Sequence, residues 1–312
     1  MSLPDFVPPM LAELGREPFD SDEHLFEIKW DGIRALSFVE AGGLRAYTRN
    51  ANELHGRYPE LDMLRSLEPG CVLDGELVVL VDGKPHFSSV LQREQARAPL
   101  KIQALARSLP ATLVVFDVLY RRGRPLLDLP LSERREELRD LVSTLDDPHL
   151  VVSEGLVGEG RAFFQEIRRL ELEGLVAKRL TSPYRPGKRS DAWTKIKTTR
   201  EAVFAILGWL PDGEDDLKSL ILGAEEEGRL VCVGRVGSGL SLLQRRRLRG
   251  LCGDLEREEP LVDCGPEGRW VSPGLFCRVS FLERTENGLR APVFVELLRD
   301  DSPGPGPPPR RP

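Results

Sequence analysis

Lys29-Trp30-Asp31-Gly32 sets an amine, a carboxylate and a glycine within four residues, at the end of a strand-like stretch. An amine attacks an electrophile only when neutral, and a lysine of ordinary pKa, about 10.4, is neutral in roughly one molecule in 2,500 at pH 7. A nucleophilic Lys29 therefore needs cationic neighbours or desolvation. Trp193-Thr194-Lys195-Ile196-Lys197 supplies two cations. Side chains on a strand repeat every two residues, so Lys195 and Lys197 share a face and can address one phosphate group. Asp31 is suited to orient the loop or assist the lysine, and Gly32 to allow close backbone approach to a bound group. The tetrapeptide alone is weak, since K-x-D-G arises by chance in about 5 to 10% of chains this long.

The elements that must position these residues can be read from the pattern. Leu25 to Asp31 alternates as a strand, and Ile33–Val39 and Leu44–Thr48 flank the turn Ala41-Gly42-Gly43 as a hairpin. Cys71–Val81 ends at the hairpin turn Asp82-Gly83, and Ala111–Tyr120 is a β-branched and aromatic strand. Ser132 opens a capped amphipathic helix with leucines at 138, 141 and 145, Gly160–Leu172 is a second helix, and Gly174–Arg179 and Ala192–Lys197 return to strand. Beyond residue 200 come short strands (Ala202–Leu210, Ser219–Ala224, Leu230–Val236, Leu275–Glu283, Val293–Leu298) and one helix near Ser241–Glu256. That inventory suits a small Greek-key barrel of the OB type.

A chain of 312 residues predicts two domains. The boundaries expected are 1–199 and 200–302, with a Pro-rich disordered tail over 303–312. With 40% hydrophobic and 30% charged residues, the chain is too apolar to be disordered. No apolar run approaches the roughly 18 residues of a membrane span and no secretion signal opens the chain, so a cytoplasmic protein is expected. The net charge of −6 means that affinity for a polyanion must come from a local basic surface. Gln244-Arg245-Arg246-Arg247-Leu248-Arg249 is either such a stripe or a solvated helix face. Five cysteines without a C-x-x-C pair, and scattered histidines, suggest buried thiols rather than disulfides or zinc.

Lys29 has company in chain order: Arg34, Arg49, Leu73-Asp74-Gly75-Glu76, Val115-Phe116-Asp117, Glu173-Gly174-Leu175-Val176-Ala177-Lys178, and the lysine pair. With Ser182-Pro183-Tyr184-Arg185-Pro186-Gly187 and Leu289-Arg290-Ala291-Pro292, the sequence from Pro9 to Asp301 resembles the covalent nucleotidyltransferases. Within them it is most similar to ATP-dependent DNA ligases, in particular the ligase domain of bacterial non-homologous end-joining ligases. The resemblance implies an α+β fold: a nucleotidyltransferase (adenylation) domain of antiparallel sheets with flanking helices, followed by a β-barrel OB-fold domain. It also implies that Lys29 attacks the α-phosphorus of ATP to give lysyl-AMP and pyrophosphate. AMP then passes to the 5′-phosphate of a nick, and the 3′-hydroxyl displaces it, in steps governed by positioning and cations.

Carried over position by position, the resemblance makes Glu76 and Glu173 ligands of Mg²⁺ or Mn²⁺ or of a ribose hydroxyl. Phe116 and Val176 would close on the two faces of adenine, Glu27 would meet its amino group, and Arg34 and Arg49 would reach ribose and phosphates. Two positions depart from the family pattern. Arg299-Asp300-Asp301-Ser302 matches Arg-x-Asp-Lys at Arg299 and Asp301 but has Ser302 for the lysine that grips the departing phosphates, and Arg284 stands where relatives usually carry tryptophan. Weak self-adenylation with less affected sealing of a pre-adenylated nick is therefore expected, unless Arg310 or Arg311 restores the cation. The family further implies a hinge near Thr198 to Glu201, nicked double-stranded DNA as substrate, a Ku-like end-binding partner and a nucleoid-associated location. The competing readings are an RNA ligase, an RNA-capping guanylyltransferase and a non-catalytic nick-binding module.

Overall fold

The computed structural model describes residues 3–213, 216–265, 267–285 and 288–299, with Arg299 described by its backbone alone. The tail, Asp301 and Ser302 lie outside the described residues. The chain divides into two compact units that meet in sequence at Thr198 and Thr199.

In the first unit β1 (Leu11–Leu14), β2 (Ser21–Ile28), β3 (Ile33–Glu40) and β4 (Gly43–Thr48) lead through a 3-10 turn, Pro59–Ser66, to β5 (Cys71–Val81) and β6 (Lys84–Pro85). Then follow α1 (Phe87–Gln95), α2 (Pro99–Ser108), β7 (Ala111–Arg121), β8 (Arg124–Pro125), α3 (Leu131–Val142), β9 (Leu150–Val152) and β10 (Gly155–Gly158). The unit closes with α4 (Gly160–Arg169), β11 (Gly174–Arg179) and β12 (Arg189–Lys197). One sheet has the order β1-β12-β11-β2-β10, antiparallel except for the β1–β12 pair. The other runs β4-β3-β5-β7-β8, with β6 beside β5 and β9 beside β7.

Alternation assigns each face of the first sheet its task. Phe26, Leu175, Ala177 and Ile196 point to one side and pack with Phe164 and Ile167 of α4. Glu27, Val176 and Lys195 sit directly across from one another and so share the opposite face. Leu36, Phe38, Val72, Phe116 and Trp193, drawn from both sheets, form one core cluster. The far side of the second sheet is covered by α3 and the 3-10 turn through Leu138, Leu141, Leu61 and Leu64. Each such fully buried side chain contributes about 1.5 to 3 kcal/mol.

Local details refine the sequence reading. Asp82 and Gly83 both have positive φ (50° and 77°), the two-residue hairpin turn that their types suggest. The α3 helix starts one residue earlier than expected: Pro130 is its N-cap and makes no side-chain cap bond, so Ser132 lies inside the first turn. Ser241, by contrast, forms a full capping box with Gln244 at the start of the second unit's helix.

The second unit contains β13 (Arg200–Asp212), β14 (Asp216–Glu226), β15 (Arg229–Val236), α5 (Leu242–Gly253), β16 (Glu256–Arg257), β17 (Arg269–Val271) and β18 (Leu275–Phe281). It ends with β19 (Arg284–Thr285), β20 (Gly288–Leu289) and β21 (Val293–Arg299). The order β15-β14-β13 continues along β13 to β18 and then β21, and a bridge from Ser238 to Val293 brings the far ends together, as in an OB barrel. Ile206, Leu220, Leu222, Val236 and Cys277 fill its core. One sequence expectation is corrected here. Cys232 and Cys264 form a disulfide, leaving Cys71, Cys252 and Cys277 as buried thiols; spacing of 32 residues gave no signal for a contact that only the fold creates. The basic run on α5 is not a continuous stripe, because Arg245 turns inward to donate to the carbonyls of Leu217 and Leu240. Arg284 pairs with Glu226.

Candidate active site

A cleft of about 530 Å³ opens in the first unit between the chemical face of the first sheet and the edge of the second. Among its lining residues are Glu27, Lys29, Arg34, Arg49, Glu76, Phe116, Val176 and Lys195. Asp31, Glu173 and Lys197 do not line it, and the side chain of Arg299 lies outside the described residues.

Lys29 follows the last residue of β2 and donates to Glu173. Glu173 also lies 3.5 Å from Lys197, so one half-buried acid serves both amines. Lys195 is on the same strand face as Lys197, and its proton affinity is lowered by burial and by the charges of Lys29, Lys197 and Arg189. The cleft is thus strongly electropositive around Lys29, as a nucleophilic amine and an anionic substrate both require. Glu76 lies across from Arg34 on adjacent strands. Burial, aided by the nearby charges of Asp74 and Glu173, pushes its carboxyl up to about 7 against the pull of Arg34 and Lys29. Among the described residues no donor or cation bonds to Glu76, which leaves a hard oxygen pair available to a divalent cation.

The apolar end of the cleft is built around Phe116. Pairing along β5 and β7 jumps from Asp74↔Asp117 to Gly75↔Val115, so Phe116 is the extra residue of a bulge, a device that re-aims a side chain. Its ring packs edge-on against Trp193 at 6.2 Å and has Arg34 at 4.6 Å and Lys178 at 4.1 Å from its centroid. Val176 lines the same end. Arg34 grips Asp74 through Nε and Nη2 at 2.5 and 2.6 Å, so its fork is committed to a protein carboxylate, which Tyr184 also reaches at 2.6 Å. Arg49 is exposed at the rim.

Glu27 is 1% exposed and accepts from Lys178 at 2.7 Å and Ser153 at 3.2 Å, both through Oε2. Its Oε1 makes no hydrogen bond, although Arg135 lies 3.4 Å away. A buried carboxylate oxygen left in this state on a cleft wall is an acceptor awaiting a donor. Lys178, Ser153, Arg135 and Trp193 join the site without a sequence signal for their roles, although Lys178 ends the motif that begins at Glu173 and alternation puts it on the face of Val176. Lys178 loses proton affinity through burial and the charge of Arg135, against the pull of Glu27. Gly32 lines the cleft, and the neighbouring strand also demands glycine there: a Cβ would sit 2.1 Å from the carbonyl oxygen of Leu77. Glu27 Oε1, ion-paired but without a hydrogen bond, the cation cluster and Glu76, which no described donor bonds, fit a nucleoside triphosphate with its divalent metal.

Comparison with known proteins agrees with that chemistry. The family described as ATP dependent DNA ligase domain matches residues 9–197, and the ATP dependent DNA ligase C terminal region matches 213–302. The multifunctional non-homologous end joining protein LigD of Pseudomonas aeruginosa is 32% identical over 99% of this chain and 38% of that protein. A DNA ligase of Thermococcus fumicolans is 33% identical over 95% of this chain and 56% of its own length. The crystal structure of the ligase domain from M. tuberculosis LigD superposes with a TM-score of 0.56 at 31% identity, covering 94% of this chain and 95% of that one. The chain spans about two fifths of the length of the end-joining relatives it matches. No helix among the described residues is long and apolar enough to cross a membrane.

Proposed function

The chain belongs to the ATP-dependent DNA ligase family, and from that premise we propose that it seals 3′-hydroxyl/5′-phosphate nicks in double-stranded DNA through a lysyl-AMP intermediate at Lys29. The observation that carries the reading is Lys29 on the wall of a cleft whose other end is aromatic, with Lys195 and Lys197 on one face of β12 in the same sheet and Glu173 held by two of these amines.

Each residue has a task in this reading. Phe116 and Val176 take the base between them, and Glu27, held by Lys178 and Ser153, accepts the adenine amino group at its free oxygen. Lys29 loses its proton and attacks the α-phosphorus, forming an N–P bond as the bond to pyrophosphate breaks. Lys195 and Lys197 stabilise the charge spread over the phosphoryl oxygens. Glu76 and Glu173 would hold Mg²⁺ or Mn²⁺, which supplies further charge neutralisation at the phosphates. Asp31 orients the loop of the nucleophile. The nick's 5′-phosphate then receives AMP, and the 3′-hydroxyl displaces it to close the strand.

We extend the reading to end joining in a bacterial cytoplasm beside the nucleoid, with a Ku-like partner that concentrates ends for a chain of net charge −6. Ser302 in place of a lysine makes self-adenylation slow relative to sealing of a pre-adenylated nick. The direct test is a nicked duplex with a labelled 5′-phosphate, offered with ATP or GTP and compared with nicked RNA. ATP-dependent sealing of the DNA supports the reading; GTP use or a preference for RNA would replace it with the capping or RNA-ligase alternative.

A further inference from the structure

Strand alternation in the second unit leaves one apolar face outside the barrel. Val231 and Val233 of β15 pack toward the barrel core, whereas Cys232 between them joins Leu207, Ile221 and Trp270 on the opposite face. Val262 and Cys264, from the segment 258–268 that links β16 to β17, pack against these side chains. Gly268 lets the segment lie close, since a Cβ there would sit 2.7 Å from Ile221 Cδ1. The segment itself is lightly held. It has neither helix nor strand among its described residues, and among them no hydrogen bond ties 260–267 to the sheet; Gly265 N–H donates within the segment, to Asp263 at 2.9 Å. The flanking strands β16 and β17, of two and three residues, offer little further restraint. The bond from Cys264 to Cys232 is therefore its principal anchor. Both cysteines are half-buried and within reach of a small reagent, while Cys71, Cys252 and Cys277 are buried.

We propose that Cys232 and Cys264 are a redox-active pair that latches the 258–268 segment over the outer face of the second unit, and that a dithiol reductant opens the latch. A thiolate of the reductant attacks one sulfur of the pair, the S–S bond breaks as a mixed disulfide forms, and the second thiol of the reductant then displaces the protein sulfur. Two electrons and two protons pass to the pair, and the reductant leaves as its own disulfide. Exchange with an oxidised dithiol runs the same steps backwards and closes the latch. The second unit has a filled barrel core of its own, so it does not need the bond for folding as a small disulfide scaffold does. In the bacterial cytoplasm of the proposed function, a disulfide is usually transient or redox-sensing. The inference takes that compartment from the proposed function and nothing else. Burial pushes the thiols of Cys252 and Cys277 up to about 12, which confines exchange to the half-buried pair.

The test uses the full chain, purified without reductant. Alkylation in denaturant, read by mass spectrometry, should block three cysteines before reduction and five after it. Dithiothreitol added to the native protein should open this pair alone. A glutamate-specific protease should then cut the segment, which carries Glu258 and Glu267, roughly ten-fold faster or more than in the oxidised protein. Cys264→Ser should be cut at the fast rate with or without dithiothreitol, and oxidised dithiothreitol should restore protection to the wild type but not to the variant. Cys232→Ser repeats the release from the strand side, and reduction of the wild type requires no variant to fold. Five cysteines blocked before reduction would overturn the latch, as would a bond that dithiothreitol opens only in denaturant, or a cleavage rate that neither reduction nor Cys264→Ser changes. Lysyl-AMP formation on the same samples separates the latch from the proposed function: redox-dependent cleavage in a protein that forms no adduct rejects that function and keeps the latch, and the reverse pattern rejects the latch alone.

Discussion

Lys29 donates to Glu173, and the same carboxylate lies 3.5 Å from Lys197. The proposed nucleophile and the second lysine of the later pair, 168 positions apart in sequence, are thus linked through one acid. Replacing Glu173 by Gln keeps its size but leaves the two amines unneutralised and removes a proposed metal ligand. Adduct formation from ATP should fall at least about 100-fold, the scale of losing one group that positions or stabilises charge. Labelled ATP and a denaturing gel read this out, with circular dichroism as the check on folding; a variant labelled at the wild-type rate refutes the role.

Glu27 and Lys178 are buried together, so removing either one strands a charge. Glu27→Ala or Lys178→Ala alone should cost about 3 to 5 kcal/mol. The double replacement Glu27→Ala with Lys178→Ala should cost less than the two single ones summed. Denaturant unfolding of the four proteins gives the coupling directly, and strict additivity would mean that the 2.7 Å bond is energetically idle.

Phe116 lends its ring to the aromatic end of the cleft. Leucine preserves apolar bulk but not a flat π face, so Phe116→Leu should raise the ATP concentration for half-maximal adduct formation about ten-fold, the upper range for one aromatic pair. Sealing of a nick that already carries AMP serves as the comparison. An unchanged ATP requirement would show that the base does not stack there.

Glu76 gives the protein a pH dependence. Its folded pKa, about 7, exceeds that of an ordinary carboxyl, so between the two values the folded state holds more protons than the unfolded one. Stability from this group therefore falls as pH rises from about 4.5 to 7 and stays reduced above it. Mn²⁺ is expected to raise the Tm of the wild type; Glu76→Gln should leave Tm unchanged near pH 4, raise it by a few degrees at pH 8, and abolish that expected gain. Equal Mn²⁺ stabilisation of both proteins would exclude Glu76 as a ligand.

Much of this site was legible in the residues because strand alternation is a strict geometric rule: Glu27, Lys29, Val176, Lys195 and Lys197 all occupy positions that the period of two puts on one face. What alternation cannot give is the extra residue. The bulges at Phe116 and at 191–193 break the period, and they decide how the aromatic ring is aimed and that Arg189 reaches the cleft. Lys178 escaped notice because a buried lysine looks like a surface lysine until its carboxylate and aromatic partners are brought from other strands. The bond between Cys232 and Cys264, and the α1 and α2 helices, likewise depend on contacts or weak amphipathic patterns that no local signal announces.

The central claim is that the Lys29 amine becomes covalently adenylated. Intact-protein mass spectrometry after incubation with ATP and Mg²⁺ or Mn²⁺, followed by peptide mapping, tests it most directly. One AMP on the peptide containing Lys29, absent from Lys29→Ala, is the predicted result. No adduct with either metal, or an adduct that persists in Lys29→Ala, would contradict it.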